Sequence, residues 1–225
     1  MDEFVVLQYR TVIPPPPTKL FQKHVIIVLD ISYSMVNELF SAKQAVISLI
    51  KQLHANHVMR ISFITYNHEA QRQDFIGWNL DEIEKAVLAV QADGSTSFTS
   101  AFDEILYEIS LHHSKDVAIV FFTDGWDTES IDLDKQVKKL EESLVPISSE
   151  IHTIGFSENH DVHLLRKLTK IGRNQGTFQY CKTGQEIVVS LDCISGLLES
   201  KDIMSEFNVH GKKYNVLLTY LGSEE

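Results

Sequence analysis

Oxygen-bearing side chains at three places in this sequence could together bind a metal ion. Asp30, Ser32 and Ser34 follow the apolar run at residues 25–29 and stand on alternate positions. Alternate side chains of an extended segment point to the same side. One carboxylate and two hydroxyls on one side suit a hard cation such as Mg²⁺, which prefers oxygen ligands. A D-x-S-x-S pattern is weak evidence by itself, because Ser and Asp are common turn residues.

Two later segments strengthen the metal hypothesis. Thr96 lies in a loop led by Gly94, and Asp124, followed by Gly125, ends a second apolar run at residues 117–122. Alone, Asp30 could be a helix N-cap or turn residue, and Asp124 could simply start a tight turn. The five oxygen-bearing residues, in this order and each after a strand or in a loop, favour a metal site.

Together these residues resemble the von Willebrand factor A (vWA) domain and its metal-ion-dependent adhesion site, with the resemblance covering about residues 20–200. The pattern of that family is D-x-S-x-S, a threonine in a middle loop, and T/S-D-G, and no position is missing here. The resemblance implies that Asp30, Ser32, Ser34, Thr96 and Asp124 bind Mg²⁺, with Mn²⁺ or Ca²⁺ as alternatives. It also implies that an Asp or Glu of a partner protein fills an open position on the ion.

Three aromatic residues lie within or beside these segments and are candidates for a partner-binding rim. They are Tyr33, Phe98 and Trp126. Exposed aromatics around a charged centre are typical of protein-binding hot spots. Phe98 also fits the apolar face of a helix that continues through Phe102 and Ile105, so core packing is the alternative for it.

Strands that alternate with helices along the chain predict a doubly wound, mostly parallel α/β sheet of six strands, with one short antiparallel edge strand near residues 71–76. In the strand order 3-2-1-4-5-6, the strands that end at Leu29 and Thr123 are neighbours at the topological switch point, where ligands bind in such folds. The loop at Gly94 can close the third side of the site.

The domain predicted at residues 20–200 has an extension at each end. Residues 1–19 read as a strand followed by a linker with four prolines, for which docking of a proline-binding module is the alternative. Residues 201–225 read as a β-hairpin-like tail that could begin a second domain or form a small sheet with the N-terminal strand.

Composition narrows the classes of partner. The net charge is −11, from 20 basic and 31 acidic side chains, and no basic cluster is present, which argues against a nucleic-acid partner. No segment reads as a signal peptide or a membrane span. There are two cysteines and no N-glycosylation sequon, so we expect an intracellular protein.

The rival function is that of an Mg²⁺-dependent enzyme. Phosphatases of the haloacid dehalogenase type also have an aspartate after the first strand, but they need a second carboxylate two residues later, where this chain has Ser32. No activated nucleophile accompanies the site, so we assign no catalytic residue and expect no enzymatic activity. A third reading, a subunit that recruits the substrate of a catalytic assembly, rests on the same site and stays open.

Other residues carry weaker signals. His160 and His163 are expected to be solvated at the start of a helix spanning about residues 159–171. Cys181 and Cys193 are expected to be buried free thiols. Asp127 is interpreted as a cap for the helix that follows Thr128, with support of the metal ligands from behind as the alternative.

Overall fold

The computed structural model of this protein describes residues 23–54, 59–129, 132–156, 160–182, 184–199, 202–209 and 212–219. The N-terminal strand and proline linker predicted at residues 1–19 lie outside the described residues. No helix among the described residues has the length and apolar character needed to cross a membrane.

A six-stranded sheet forms the centre of the fold. Its strands are β1 (Lys23–Asp30), β2 (Met59–Tyr66), β3 (Ala70–Asp74), β4 (Asp116–Thr123), β5 (Ser148–Phe156) and β6 (Phe178–Cys181). The spatial order is β3-β2-β1-β4-β5-β6, and every neighbouring pair is parallel except β2 and β3. The predicted fold class and strand order are therefore confirmed.

Helices cover both faces of the sheet. They are α1 (Leu39–His54), α2 (Leu80–Ala89), α3 (Phe98–His112), α4 (Leu133–Leu144), α5 (Val162–Leu168) and α6 (Gly184–Glu199), and a short 3₁₀ turn, Tyr33–Val36, precedes α1. Buried residues of α1, α2 and α6 form one apolar core with the sheet, and those of α3, α4 and α5 form the other. A doubly wound sheet requires such a core on each of its two faces, because both faces of its central strands are apolar.

Strands β1 and β4 lie at the centre of the sheet, and their carboxyl ends meet at one edge. Both are almost continuously apolar and buried, as strands covered on both faces must be. Leu29 pairs with Phe122, so Asp30 and Thr123 follow at the same level. The sheet thereby brings together two segments that are more than 90 residues apart in the chain.

Two elements differ from the sequence prediction or extend beyond it. Helix α5 spans only Val162–Leu168, shorter than predicted at both ends. It begins later because the Asp161 side chain caps it by accepting a hydrogen bond from the Leu164 amide at 2.9 Å, and its C-cap is Thr169. The tail forms the predicted pair of antiparallel strands, β7 (Asp202–Val209) and β8 (Lys212–Thr219).

Candidate functional site

Asp30 is fully buried, and hydrogen bonds from the surrounding groups hold its carboxylate in place. Its Oδ1 accepts a hydrogen bond from the Ser32 amide at 2.8 Å. Its Oδ2 accepts from Thr123 Oγ1 at 2.6 Å and from the Tyr66 hydroxyl at 3.3 Å. Burial raises the pKa of Asp30, although these hydrogen bonds lower it. The sequence analysis did not identify Tyr66 as part of this site.

The two serines connect the end of β1 to the end of β4. Ser32 Oγ and Ser34 Oγ are 3.0 Å apart, and Ser34 Oγ donates a hydrogen bond to Asp124 Oδ1 at 2.8 Å. A chain of oxygen atoms therefore runs from the first loop to the second. Asp124 and Ser32 are buried like Asp30, whereas Ser34, which lies between them in this chain of oxygens, is exposed to solvent.

The loop with Thr96 closes the third side, as predicted. The Tyr33 amide donates to the carbonyl of Gly94 at 2.9 Å, which attaches this loop to the first one. A β-carbon placed on Gly125 would lie 3.7 Å from Ser34 Oγ and 3.9 Å from Thr96 Oγ1. The two hydroxyls thus converge on the space beside Gly125, which glycine leaves open.

Glycine is required at position 94. Its φ of +73° lies in the left-handed region, and a β-carbon there would overlap the ring of His68. This turn follows α2 and brings the chain back to the loop after β1, where the Gly94 carbonyl accepts the hydrogen bond from the Tyr33 amide.

The charges of this site favour a bound cation. Burial raises the pKa of Asp124 to about 6, and the nearby carboxylates of Asp30 and Glu38 add to the rise despite the hydrogen bond from Ser34. Two buried carboxylates close together are unfavourable without a positive charge beside them.

The five predicted ligands offer only oxygen atoms, which fits a hard divalent ion better than a soft one. Among the described residues, no group of three or more His, Cys, Asp or Glu side chains could hold an ion. The candidate site therefore depends on hydroxyl groups together with two acids.

The aromatic residues of the predicted rim divide into two kinds. Tyr33 is 69% exposed and Trp126 is 54% exposed, so both are available to a partner. Phe98 is 0% exposed, and its ring packs against those of Tyr66 and Phe121. The prediction that Phe98 belongs to the rim is therefore wrong, because the first residue of α3 points into the core, as its helical spacing allowed.

Two further apolar residues near the site are exposed and were missed by the sequence analysis. Val36 is 54% exposed and Phe40 is 70% exposed. Val36 follows Tyr33 by three residues and Phe40 follows Val36 by four, and this helical spacing is the signal that could have identified them. Tyr33, Val36, Phe40 and Trp126 are hereafter called the apolar rim.

Asp127 acts as a cap, but for a different helix from the one predicted. Its Oδ2 accepts from the amide of Phe98, the first residue of α3, at 3.1 Å, and its Oδ1 accepts from the Glu129 amide at 2.9 Å. The cap of α4 is Asp132, whose side chain accepts from the Lys135 amide.

Two predictions about exposure are also wrong. His160 is buried, with its ring 5.1 Å from that of Tyr180 and close to Gly155, whereas His163 is exposed as expected. Cys181 is buried, as predicted, but Cys193 is exposed on α6.

Comparison with known proteins relates this geometry to one family. The family model described as the von Willebrand factor type A domain matches residues 24–188. No curated protein matches the sequence significantly.

Several solved structures share the fold. A von Willebrand factor type A protein from Catenulispora acidiphila is 15% identical, with a TM-score of 0.67 over 82% of this chain and 44% of that one. The PilB minor pilin from Streptococcus sanguinis is 13% identical, with a TM-score of 0.64 over 82% of this chain and 63% of that one. The chain thus spans less than two thirds of either protein.

A third structure has an occupied metal site. Proximal thread matrix protein 1 from the mussel byssus, described with a zinc-occupied MIDAS (metal-ion-dependent adhesion site) motif, is 12% identical. Its TM-score is 0.64 over 82% of this chain and 50% of that one. At these identities the likeness to the three structures shows the shared fold alone.

Proposed function

The chain belongs to the von Willebrand factor type A domain family, and on this premise we propose that it binds a partner protein through a divalent cation. Domains of this family are generally protein-interaction modules. The observation that carries the proposal is the convergence of the Ser34 and Thr96 hydroxyls beside Gly125, with Ser34 hydrogen-bonded to Asp124.

The proposed ligands are Asp30, Ser32, Ser34, Thr96 and Asp124. The three hydroxyls would hold the ion directly, and the two carboxylates would act mainly through water. Asp30 suits this indirect role, because both of its oxygens already accept hydrogen bonds. An ion with mostly neutral ligands keeps much of its charge, which it supplies to an acidic side chain of the partner.

Mg²⁺ is the proposed ion, with Mn²⁺ and Ca²⁺ as alternatives. The all-oxygen ligand set supports this choice, because softer ions favour nitrogen and sulfur ligands. The zinc in the mussel protein belongs to that protein and leaves the choice of ion here to experiment.

The apolar rim is the proposed contact surface around the ion. Exposed aromatic side chains contribute much of the binding energy at protein interfaces. A partner that presents an Asp or Glu to the ion would place its neighbouring residues on Tyr33, Phe40 or Trp126. The family resemblance supports the choice of an acidic residue on the partner.

We propose that the domain is not an enzyme. An attacking carboxylate needs a free oxygen near the substrate, but the Asp30 carboxylate is fully buried and hydrogen-bonded on both oxygens. Position 32 offers a serine and no second acid. Recruitment of a substrate for another catalytic subunit would use the same surface and is compatible with the proposal.

Calorimetric titration with Mg²⁺ and Mn²⁺ tests the metal site. We expect binding to the wild type, at least tenfold weaker binding to Ser34→Ala, and no change for Ser143→Ala. Ser143 is the matched control, because it is exposed on α4 and its hydroxyl donates to the Lys139 carbonyl of the same helix. Equal binding by wild type and Ser34→Ala would refute the site.

Partner capture from cell extract tests the function. We expect proteins that are retained in Mg²⁺, released by chelator, and lost with Ser34→Ala and Trp126→Ala but retained with Ser143→Ala. Retention that is indifferent to chelator would contradict a cation-dependent interaction. Metal-dependent hydrolysis of a generic phosphate ester by the wild type would contradict the non-enzymatic assignment.

We also propose an intracellular location, which the free thiols of Cys181 and Cys193 support. Imaging of the tagged full-length protein would test it, and a secreted protein would contradict it.

A further inference from the structure

Two residues of the loop that follows β4 are hydrogen-bonded to the loop that contains Thr96. Thr128 Oγ1 accepts from the Thr96 amide at 3.1 Å, and Thr128 Oγ1 also lies 3.1 Å from the Thr96 carbonyl, to which it donates. The Thr128 amide donates to the same carbonyl at 2.9 Å. Asp127 binds the amide of Phe98, two residues further along. Asp127 and Thr128 are hereafter called the loop clamp.

Capping of α3 accounts for the hydrogen bond of Asp127 but not for those of Thr128. Ser97 is the N-cap of α3, and its hydroxyl accepts from the Ser100 amide at 3.3 Å. Asp127 accepts from the amide of Phe98, which has no acceptor within the helix, and an acidic side chain is favourable at a helix N-terminus. The Thr128 hydroxyl is different, because both of its hydrogen bonds go to Thr96, which precedes the helix.

The clamp is placed to control the Thr96 side chain. Thr128 is hydrogen-bonded to both the amide and the carbonyl of Thr96, so the peptide planes on both sides of Thr96 are fixed. On the other side of the loop, the Ser97 amide donates to the Asn67 carbonyl at 2.8 Å. With the backbone fixed on both sides, the Thr96 hydroxyl is directed to the space beside Gly125, where Ser34 Oγ also lies.

We propose that Thr128, assisted by Asp127, is a positioning residue of the metal site. It acts through Thr96 and does not itself bind the ion. The proposal rests on the proposed metal-binding function, because a positioned ligand matters only if an ion binds there. Binding sites need ligands held within a few tenths of an ångström by surrounding hydrogen bonds, and loss of such support typically weakens metal affinity.

The clamp belongs to the same short segment as a proposed metal ligand and a residue of the apolar rim. Trp126 of the apolar rim lies between Asp124, a proposed ligand, and Asp127 of the clamp. One short segment therefore contributes a metal ligand, a partner contact and the support of a second ligand on another loop.

Three variants at position 128 provide the test. Thr128→Val keeps the shape of the side chain and removes its hydroxyl, Thr128→Ala removes the hydroxyl without adding a new contact, and Thr128→Ser restores it. Thr128 is exposed, so none of these changes disturbs the core. Mn²⁺ affinity by calorimetry and the Mn²⁺ electron paramagnetic resonance spectrum report the site. Hydrogen exchange of the Thr96 amide in the metal-free protein reports the clamp.

We expect Thr128→Val and Thr128→Ala to bind Mn²⁺ about three- to tenfold more weakly, as loss of one to two exposed hydrogen bonds predicts. Their Thr96 amide should exchange faster without metal, and their resonance spectra should be broader. Thr128→Ser should behave like the wild type in all three measurements.

Two results would overturn the proposal, and they are distinguishable. If the wild type binds Mn²⁺ but Thr128→Val and Thr128→Ala bind it equally well, the clamp does not position the ligand, and the metal site stands. If the wild type binds no divalent ion, the proposed function fails and the positioning role fails with it.

Discussion

Asp124→Asn should stabilise the metal-free protein, although it removes a proposed ligand. The Asp124 carboxylate is buried and has its pKa raised from 3.8 to about 6. A difference of roughly 2 pKa units corresponds to about 3 kcal/mol of unfavourable ionisation in the folded state. Asparagine keeps an oxygen that can accept the hydrogen bond from Ser34 and carries no charge. The gain should therefore approach 3 kcal/mol, or about 6–12 °C in melting temperature.

The sign of the pH dependence follows from the raised pKa. Above about pH 6 the wild-type carboxylate is ionised in both the folded and unfolded states, so the full cost of burying its charge is present. Between about pH 6 and 3.8 the folded protein takes up a proton that the unfolded chain does not, and the cost decreases. The advantage of Asp124→Asn should thus be largest at pH 8 and absent near pH 3.8.

The assay is thermal unfolding followed by circular dichroism in chelator, at pH 8 and at pH 4, and then at pH 8 with Mg²⁺. Bound Mg²⁺ should stabilise the wild type, by about 2.7 kcal/mol at 100 times its dissociation constant, and should stabilise Asp124→Asn less. Asp103→Asn is the matched control. Its carboxylate is exposed and pairs with Lys139, so its effect should stay within about 0.5 kcal/mol.

Two outcomes would refute this reasoning. Identical melting of wild type and Asp124→Asn in chelator at pH 8 would show that the buried charge is not a source of instability. An equal advantage of Asp124→Asn at pH 4 and pH 8 would show that the effect has nothing to do with ionisation.

Three further predictions concern the burial of individual side chains. Phe98→Ala should cost about 3–5 kcal/mol in the free energy of unfolding measured with urea, whereas Trp126→Ala should change it by less than about 0.5 kcal/mol; similar losses would contradict their different burial. Burial opposes ionisation of Glu108, but hydrogen bonds lower its pKa to about 2 from 4.5, so its stabilising effect should be complete above pH 4.5 and lost toward pH 2. An acid titration in which Glu108→Gln and wild type lose stability in parallel would exclude this effect. In the native protein Cys193 should react quickly with a thiol reagent and Cys181 only on unfolding, and equal rates would contradict the difference in exposure.

Glu108 illustrates a feature that only the folded protein could show. Its carboxylate is fully buried, with Oε1 accepting from Ser62 Oγ at 2.5 Å and Oε2 from Arg72 at 2.6 Å. His24 and His112 lie within 3.5 Å of Oε1. These residues come from four elements, and in the sequence Glu108 reads as an ordinary exposed residue of α3. A buried charge is recognised only when all its partners are in place.

The sequence by itself determined the fold class, the strand order and the placement of the candidate ligands. Asp30 and Asp124 follow long apolar runs, and such runs become central strands because both of their faces must be covered. Right-handed crossover connections leave few arrangements of six such strands, so the adjacency of the two strand ends follows from their order in the chain. Four oxygen-bearing residues at those ends, Asp30, Ser32, Ser34 and Asp124, then share one edge of the sheet, and the loop before α3 adds Thr96.

Tertiary structure alone decided the environment of individual side chains. The burial of His160, the exposure of Cys193, and the hydrogen bonds from Thr128 to Thr96 were not predictable from local spacing. Hydrophobic periodicity shows which residues of a helix or strand share a face, but it does not show which other segment of the chain covers that face. The hydrogen bonds between Thr96 and Thr128 join residues 32 positions apart in the chain. Each such bond contributes little free energy compared with the core, so these loops meet only where the folded sheet brings them together.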